Sequence, residues 1–205
     1  MKILNLYAGI GGNRKLWTGH EVTAVEYRED IAAVYRHYFP QDTVIVTDAH
    51  QYLLKHYSEF DAIWSSFPCQ THSRARFWRH STLNEQKYPD LGLYQEIIFL
   101  KHYFKGKWVV ENVNPFYEPL IKPTAELGRH LVWSGSWISG NFESTHGIIT
   151  EGNSTMWKDL YGFDLSNFKL SSRKDQIYRN CVDPELGLFI LNCLEETTVQ
   201  TTLFG

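Results

Sequence analysis

The chain of 205 residues has little cysteine, no excess of basic charge and no long apolar run, and each shortage excludes a class of protein. Its three cysteines, Cys69, Cys181 and Cys193, form no CxxC pattern, which excludes a disulfide framework and a zinc ribbon. This usage favours a reducing, intracellular setting. A net charge of −3 excludes a strongly basic nucleic-acid coat, although local basic clusters can still bind nucleic acid. No apolar run is long enough to predict a membrane span.

Apolar residues are plentiful enough for a folded core. Hydrophobic residues make up 43% of the chain and aromatic residues 15%, which excludes an intrinsically disordered chain. The length suits one globular domain with at most a small appendage. The apolar start runs into Gly11-Gly12-Asn13-Arg14-Lys15 without a small-residue cleavage site, so it predicts a strand rather than a signal peptide.

The first two-thirds of the chain alternates β-rich runs with segments of helical spacing. We predict strands over residues 3–7, 22–25, 43–46, 61–64 and 108–110. We predict helices near 16–17 and over residues 30–38, 51–56 and 91–104. This alternation is typical of an α/β fold, with a doubly wound and mostly parallel sheet between two layers of helices.

The pattern loosens after Pro123. Short strands are predicted over residues 131–133 and 136–138. Residues 141–172 are rich in Gly, Ser, Asn and Thr, which indicates a loop-rich insert rather than a second full domain. Asp183 can cap a helix over 184–195, with Pro184 in its first turn, and residues 200–205 are expected to fray.

Polar or glycine-rich segments follow the predicted strands at the same end of the sheet, where doubly wound folds bind ligands. These segments are Ala8–Gly12, Glu26–Tyr27, Asp48–Ala49, Ser66–Gln70 and Glu111–Val113. Each has a plainer interpretation by itself. Glycine turns join many strands to helices, Asp48 can cap a helix, and a lone cysteine is more often a core residue. A ligand-binding site is favoured because all five segments are predicted to lie at the same end of the sheet.

The glycine turn departs from the dinucleotide-binding pattern, because Arg14 occupies the third glycine position. A ligand without a pyrophosphate does not need that third glycine. The turn therefore favours an adenosine that carries a sulfonium and an amino acid, namely S-adenosylmethionine. We expect its ribose on Glu26, its adenine edge near Asp48 and its ring against Tyr27.

Four segments resemble the motifs of one enzyme family, in the family's order. They are LNLYAGIGG (4–12), DAIWSSFPCQTHS (61–73), WVVENV (108–113) and RNCVDPELGL (179–188). The chain is therefore similar to the C5-cytosine DNA methyltransferases, in the compact form of phage and prokaryotic enzymes. The resemblance implies an S-adenosylmethionine-dependent, Rossmann-like methyltransferase fold, in a cytoplasmic, nucleoid-associated protein of a prokaryotic or phage-infected cell.

The resemblance also implies roles for individual residues. Cys69 would be the covalent nucleophile at cytosine C6, with nearby cations and N–H groups favouring its thiolate. Glu111 would contact N3 and the exocyclic amine, and Arg129 the O2 atom, while His130 stands where the family usually has a second arginine. The predicted donor pocket comprises Tyr7, Ala8, Gly9, Ile10, Gly11, Gly12, Glu26, Tyr27, Asp48, Ala49, Pro68, Leu93, Asn180 and Val182.

The expected partner is double-stranded DNA from which the target base is flipped out. The Arg- and aromatic-rich segment 71–80 is interpreted as a mobile catalytic loop that closes over that base. The expected DNA contacts are Gln70, Ser73, Arg74, Arg76, Arg79, His130, Arg173 and Lys174.

We divide the chain into a catalytic core (1–133), a reduced target-recognition region (134–172) and a segment that returns to the core (173–205). Candidate recognition residues are Ser136, Asn141, Asn153 and Lys158, joined by Arg173 and Lys174. So small a region predicts a short recognition sequence, or help from a homodimer partner or a second subunit.

Three alternatives stay open. An RNA methyltransferase of the same family would usually carry a Cys-Phe-Thr stretch, which this sequence lacks. A non-catalytic DNA-binding or accessory subunit is favoured by the short recognition region but not by the intact Cys69 and Glu111. The third alternative is that the pocket binds a modified cofactor and transfers a larger group than methyl. The biological role, whether restriction protection, phage modification or regulation, is equally open.

Overall fold

The computed structural model describes residues 1–74, 88–142 and 154–196. Its strands are β1 (Lys2–Leu6), β2 (Glu21–Glu26), β3 (Thr43–Val46), β4 (Ala62–Ser66), β5 (Lys107–Val113), β6 (Ala125–Leu127) and β7 (His130–Ser134). Its α-helices are α1 (Glu29–Tyr38), α2 (Ala49–His56), α3 (Gly92–Tyr103), α4 (Ser154–Tyr161), α5 (Lys174–Arg179) and α6 (Pro184–Glu196). Short 3₁₀ turns cover Tyr57–Glu59 and Cys69–Thr71.

The strands form a seven-stranded sheet in the order β3-β2-β1-β4-β5-β7-β6. The first five run parallel, and β7 and β6 extend one edge in antiparallel pairing. This confirms the predicted α/β fold with a mostly parallel sheet and flanking helices. The order reverses between β1 and β4, which is where such sheets open a crevice for ligands.

Alternation along β1 divides the core between the two faces of the sheet. Leu4 and Leu6 face one cluster, which α2 and α3 complete with residues such as Leu53 and Ile97. Ile3 faces the opposite cluster, where Ile190 of α6 packs. Helices on both faces explain why the parallel strands are mostly buried and mostly apolar, with a few buried polar residues such as Asn5 and Ser65.

The short helix predicted near 16–17 is wrong, because residues 12–16 form successive turns instead. Buried side chains hold this segment. The Asn13 amide donates to Asn5 Oδ1 at 2.8 Å, and the buried Arg14 guanidinium pairs with Asp42 at 2.8 Å. Polar side chains directed inward at consecutive positions prevent an amphipathic helix with one apolar face.

The chain beyond β5 differs from the prediction in two places. Residues 136–138 are not a strand, since the Ser136 N–H donates to Ser134 Oγ and turns the chain. The region expected to be loop-rich contains α4, and Trp157 and Phe163 are buried in a cluster with Tyr35 of α1. Scattered aromatic residues supply this packing, which a count of polar residues does not reveal.

Across the described ranges, none of the helices combines the length and the apolar character that crossing a membrane requires.

Helix α6 contacts the turn after β1 through a glycine. A Cβ added at Gly187 would lie 2.3 Å from the carbonyl oxygen of Asn13 and 2.6 Å from its Cα, so backbone meets backbone. The Trp17 indole N–H also donates to the Gly187 carbonyl at 3.1 Å. These contacts fix the C-terminal helix against the turn that begins the chain's first crossover.

Gly187→Ala tests this contact. Alanine at a free helix position stabilises relative to glycine by up to about 1 kcal/mol, but here the methyl group meets backbone that cannot yield. We therefore expect destabilisation by about 2 kcal/mol in urea unfolding. Asn192→Ala, at an exposed position of the same helix, is the matched control and should be neutral or slightly stabilising. A stabilised Gly187→Ala variant would contradict the close contact.

Candidate functional site

A cavity of about 330 Å³ opens at the carboxyl ends of the parallel strands. Its wall combines the turn after β1, the end of β2, the segment after β4, the end of β5 and the loop before β7. Residues around α5 and the chain that follows it complete the wall. The volume lies within the range of small-molecule sites, and the position is the one that the sequence predicts.

The turn after β1 and Glu26 form one part of the wall together. Tyr7 and Gly9 both have left-handed backbone, with φ of 54° and 55°. The Glu26 carboxylate accepts from the Gly9 N–H at 3.0 Å and from the Arg28 N–H at 2.9 Å. Burial raises the pKa of Glu26, and these two N–H groups oppose the rise. A carboxylate held in this way can accept hydrogen bonds from a diol.

Cys69 and Glu111 line this same cavity from different parts of the sheet. Cys69 begins the 3₁₀ turn after β4, and Glu111 lies on β5 in register with Ser66. The Asn112 side chain donates to the Phe67 carbonyl at 2.9 Å, which ties the Cys69 segment to β5. The sulfur and the carboxyl therefore share one opening.

Glu111 is a buried acid whose protonated form is favoured. Burial raises its pKa to about 7, against a hydrogen bond from Ser66 and the positive charge of Arg129. His130 Nε2 lies 3.9 Å from the carboxyl, yet burial and Arg129 lower the pKa of His130 to about 3. We therefore regard His130 as neutral and the contact as dipolar rather than an ion pair. Near neutral pH, Glu111 can both hold and release a proton.

The Cys69 thiol is also held in its neutral form. Burial and the charge of Glu111 raise its pKa, and Arg129 opposes them. The expectation that its surroundings favour a thiolate is therefore not met in the free protein, because burial outweighs the nearby cation. Arg129 is exposed, and its guanidinium donates to the Arg179 carbonyl at 3.5 Å.

Most of the residues predicted for the site line the cavity. They are Tyr7, Ala8, Gly9, Ile10, Gly12, Glu26, Tyr27, Pro68, Cys69, Gln70, Glu111, Arg129, His130, Asn180 and Val182. Val182 closes against the glycine turn, since a Cβ at Gly12 would lie 2.2 Å from its carbonyl oxygen.

Four predicted donor-pocket residues lie elsewhere. A Cβ at Gly11 would meet the Phe39 ring at 2.3 Å, so Gly11 packs against the residue that follows α1. Asp48 caps α2 by accepting from the Gln51 N–H at 2.8 Å, which is its plainer interpretation. Ala49 and Leu93 are buried in the core cluster under α2 and α3.

The predicted nucleic-acid contacts are more scattered. Ser73 forms a β-bridge with Pro115, whose carbonyl accepts from the Arg74 guanidinium at 3.0 Å. Arg173 pairs with Asp175 at 2.9 Å, and the Lys174 ammonium donates to the Ser166 carbonyl. Lys158 pairs with Asp164, Ser136 lies in the turn after β7, and Asn141 is exposed. Arg76, Arg79 and Asn153 lie outside the described residues.

Several cavity residues were missed by reasoning from the sequence. They are Asn13, Arg28, Ile31, Ile177, Arg179 and Cys181. Ser66, Phe67, Asn112 and Val113 also line the cavity, and they belong to the segments predicted after β4 and β5. Arg179 and Cys181 flank Asn180 within the segment 179–188, from which only Asn180 and Val182 were assigned to the donor pocket. Cys181 is buried, and burial raises its pKa to about 12, which suits packing rather than chemistry. Ile177 lies outside the four motif segments, and nothing in the sequence links it to the site.

Comparison with protein families finds one match. The family described as C-5 cytosine-specific DNA methylase matches residues 1–120, which is more than half of the chain. A search of curated proteins finds no match.

Several solved structures show partial similarity to this chain. A DNMT2 variant of Spodoptera frugiperda is 27% identical over 55% of this chain and 35% of its own, with a TM-score of 0.38. A putative DNA modification methyltransferase of an Escherichia coli prophage is 18% identical over 58% and 33%, with a TM-score of 0.40. A SAM-dependent methyltransferase of Agrobacterium tumefaciens is 14% identical over 57% and 40%, with a TM-score of 0.39. The chain thus spans about a third of the length of the first two structures.

Because Glu111 is buried in its protonated form, it destabilises the folded state at pH values above the pKa that its carboxyl has in the unfolded chain. Between pH 4.5 and about 7 the unfolded carboxyl ionises while the folded one stays protonated, so this contribution to stability is lost as the pH rises. We expect Glu111→Gln to be more stable than the wild type by up to about 3 kcal/mol at pH 8, and by less than about 1 kcal/mol at pH 5. Urea unfolding of the variant and the wild type at pH 5 and pH 8 measures this difference in stability. A difference that is the same at both pH values would contradict the prediction.

Proposed function

The chain belongs to the C-5 cytosine-specific DNA methylases, and we propose that it transfers a methyl group from S-adenosylmethionine to C5 of a cytosine flipped out of double-stranded DNA. The proposal makes Cys69 the covalent nucleophile and Glu111 the acid that activates the ring. The observation that carries it is the shared cavity. Cys69, in the turn after β4, and Glu111, on β5, both line it, beside the glycine turn and the Glu26 carboxylate that this turn holds.

The residues at the turn fit the donor chemically. Glu26 accepts from two backbone N–H groups and retains lone pairs for ribose hydroxyls. Tyr27 is 75% exposed beside it, which leaves its ring free to pack on a base. Asn180 and Val182 close the opposite side, where the methionine part would lie. When bound, S-adenosylmethionine supplies a methyl group on a positively charged sulfur.

The protein's own groups prepare the pyrimidine ring for attack. Glu111, protonated near neutral pH, gives its proton to N3 and so withdraws electrons from the ring. Cys69 gives its proton to solvent and its sulfur bonds to C6, which makes C5 an electron-rich enamine carbon. C5 then takes the methyl group, with S-adenosylhomocysteine as the other product. Loss of the C5 proton to a base restores the double bond between C5 and C6 and expels the Cys69 thiolate, and N3 returns its proton to Glu111.

Arg129 and Arg179 provide positive charge at the opening. Both line the cavity, both are exposed, and Arg129 bonds to the Arg179 carbonyl. A base can reach Cys69 only by leaving the duplex, which brings its flanking phosphates to this rim. Arg129 is proposed to contact the cytosine O2, and Arg179 a backbone phosphate. Phosphate contacts of this kind position the DNA without specifying its sequence.

The nucleophile is tested with Cys69→Ala. We expect loss of methyl transfer to duplex DNA, while S-adenosylhomocysteine binding measured by calorimetry is retained. Cys193→Ala is the matched control, because it removes a buried thiol of α6 outside the cavity lining and should keep activity. The wild type should form a covalent adduct with DNA that contains 5-fluorocytosine, since the fluorine cannot be eliminated.

Three outcomes would overturn parts of this proposal. Turnover by Cys69→Ala would remove the covalent mechanism. Methylation of tRNA but not of DNA would show that the substrate is RNA and not DNA. An adduct that fails to form, together with no methylation of either nucleic acid, would favour the accessory-subunit alternative.

The rim arginine is tested through the salt dependence of DNA binding. We expect Arg179→Ala to weaken binding to all sequences alike and to reduce the slope of log K against log salt by about 1. Lys101→Ala, exposed on α3 and outside the cavity lining, is the control and should leave the slope unchanged. Weaker donor binding with an unchanged DNA slope would instead assign Arg179 to the donor carboxylate.

A further inference from the structure

Glu96 is a charged residue whose side chain is fully buried behind the cavity. It lies on α3 with no exposed side-chain surface. Its carboxylate accepts from the Tyr7 hydroxyl at 2.5 Å and the Ser65 hydroxyl at 2.7 Å, and it contacts His50 Nδ1 at 3.1 Å. The bond to Glu96 raises the pKa of His50, so a protonated His50 can balance the buried charge. One carboxylate therefore joins α3, β4, α2 and the end of β1.

Tyr7 is the member of this cluster that reaches the cavity. Among the described residues it alone has positive φ without being glycine, at 54°. Such backbone persists only where the surroundings hold it firmly. The hydroxyl is held by Glu96, and the ring meets the Phe67 ring edge-on at 5.3 Å between centroids. Phe67 belongs to the segment that leads to Cys69.

The conformation of Tyr7 sets the direction of the chain that follows it. The Ala8 N–H donates to the Val25 carbonyl at 3.0 Å, and the Gly9 N–H donates to Glu26. If Tyr7 moved to a common backbone conformation, both N–H groups would turn away from β2. The Glu26 carboxylate would then lose one of its two backbone partners.

We propose that Glu96 is a positioning residue for the methyl-donor site: it acts through the Tyr7 hydroxyl to hold the glycine turn against Glu26 and the Phe67 ring beside the Cys69 segment. The inference rests on the proposed function, since it names the residue that keeps that site in shape without touching the donor. It also gives a reason for a tyrosine at this position, because phenylalanine would supply the ring but not the anchoring hydroxyl.

The test is a double-mutant cycle on donor-site binding, with S-adenosylhomocysteine as the probe in calorimetry. Tyr7→Phe and Glu96→Gln should each raise Kd by about fivefold. The Kd of the double variant should exceed the larger of the two single-variant values by no more than about twofold. In steady-state kinetics the donor KM should rise, while the KM for DNA stays unchanged. Tyr94→Phe is the matched control, because it removes a bonded hydroxyl from the same helix away from the cavity and should leave Kd unchanged.

The outcomes separate this inference from the function on which it rests. Multiplicative effects in the double variant, or a lower Tm with unchanged Kd, would mean that Glu96 only stabilises the fold. Tyr7→Phe preserves the ring, so an unchanged Kd in that variant alone overturns the inference even if Glu96→Gln fails to fold. Failure of the wild type to bind S-adenosylhomocysteine would overturn the proposed function and this inference together.

Discussion

The site depends on backbone that packs directly on backbone between the two ends of the described chain. At Gly12 and Gly187 an added Cβ would fall within about 2.3 Å of the Val182 and Asn13 carbonyl oxygens. Interiors are packed so closely that even one methyl group is felt. Because both contacts involve the turn after β1, the C-terminal segment can close the cavity only while that turn keeps its shape. The strained Tyr7 and the buried Asn5–Asn13 pair serve the same requirement.

Burial governs the chemistry of the cavity as well. Desolvation is the largest cause of the raised pKa of both Glu111 and Cys69 and of the lowered pKa of His130. In the free protein the three groups therefore favour their neutral forms, with the exposed Arg129 as the nearby charge. Neutral groups are less costly to hold in a low-dielectric cleft.

The two buried carboxyls, Glu96 and Glu111, are stabilised in opposite ways. Glu96 has hydroxyl donors and a histidine around it, so its polar atoms are satisfied within the fold. Glu111 accepts a hydrogen bond from Ser66 and lies near a neutral histidine and the charge of Arg129, yet burial outweighs these partners and raises its pKa to about 7. A satisfied carboxylate fixes structure, whereas an acid with a pKa near 7 is available for proton transfer. The environment of each carboxyl, and not its residue type, separates the two roles.

The sequence by itself determined the architecture and the place of the site. Strand and helix periodicity predicted the parallel sheet, and the polar residues after β1, β2, β4 and β5 predicted one ligand-binding edge, because parallel strands end on the same side. The tertiary structure alone decided which of those residues face the cavity. Asp48 became a helix cap, Leu93 a core residue and Arg14 the partner of Asp42. It also brought Arg179 and Cys181 to the wall and set the pKa shifts, since burial and partners distant in the chain cannot be read from local sequence.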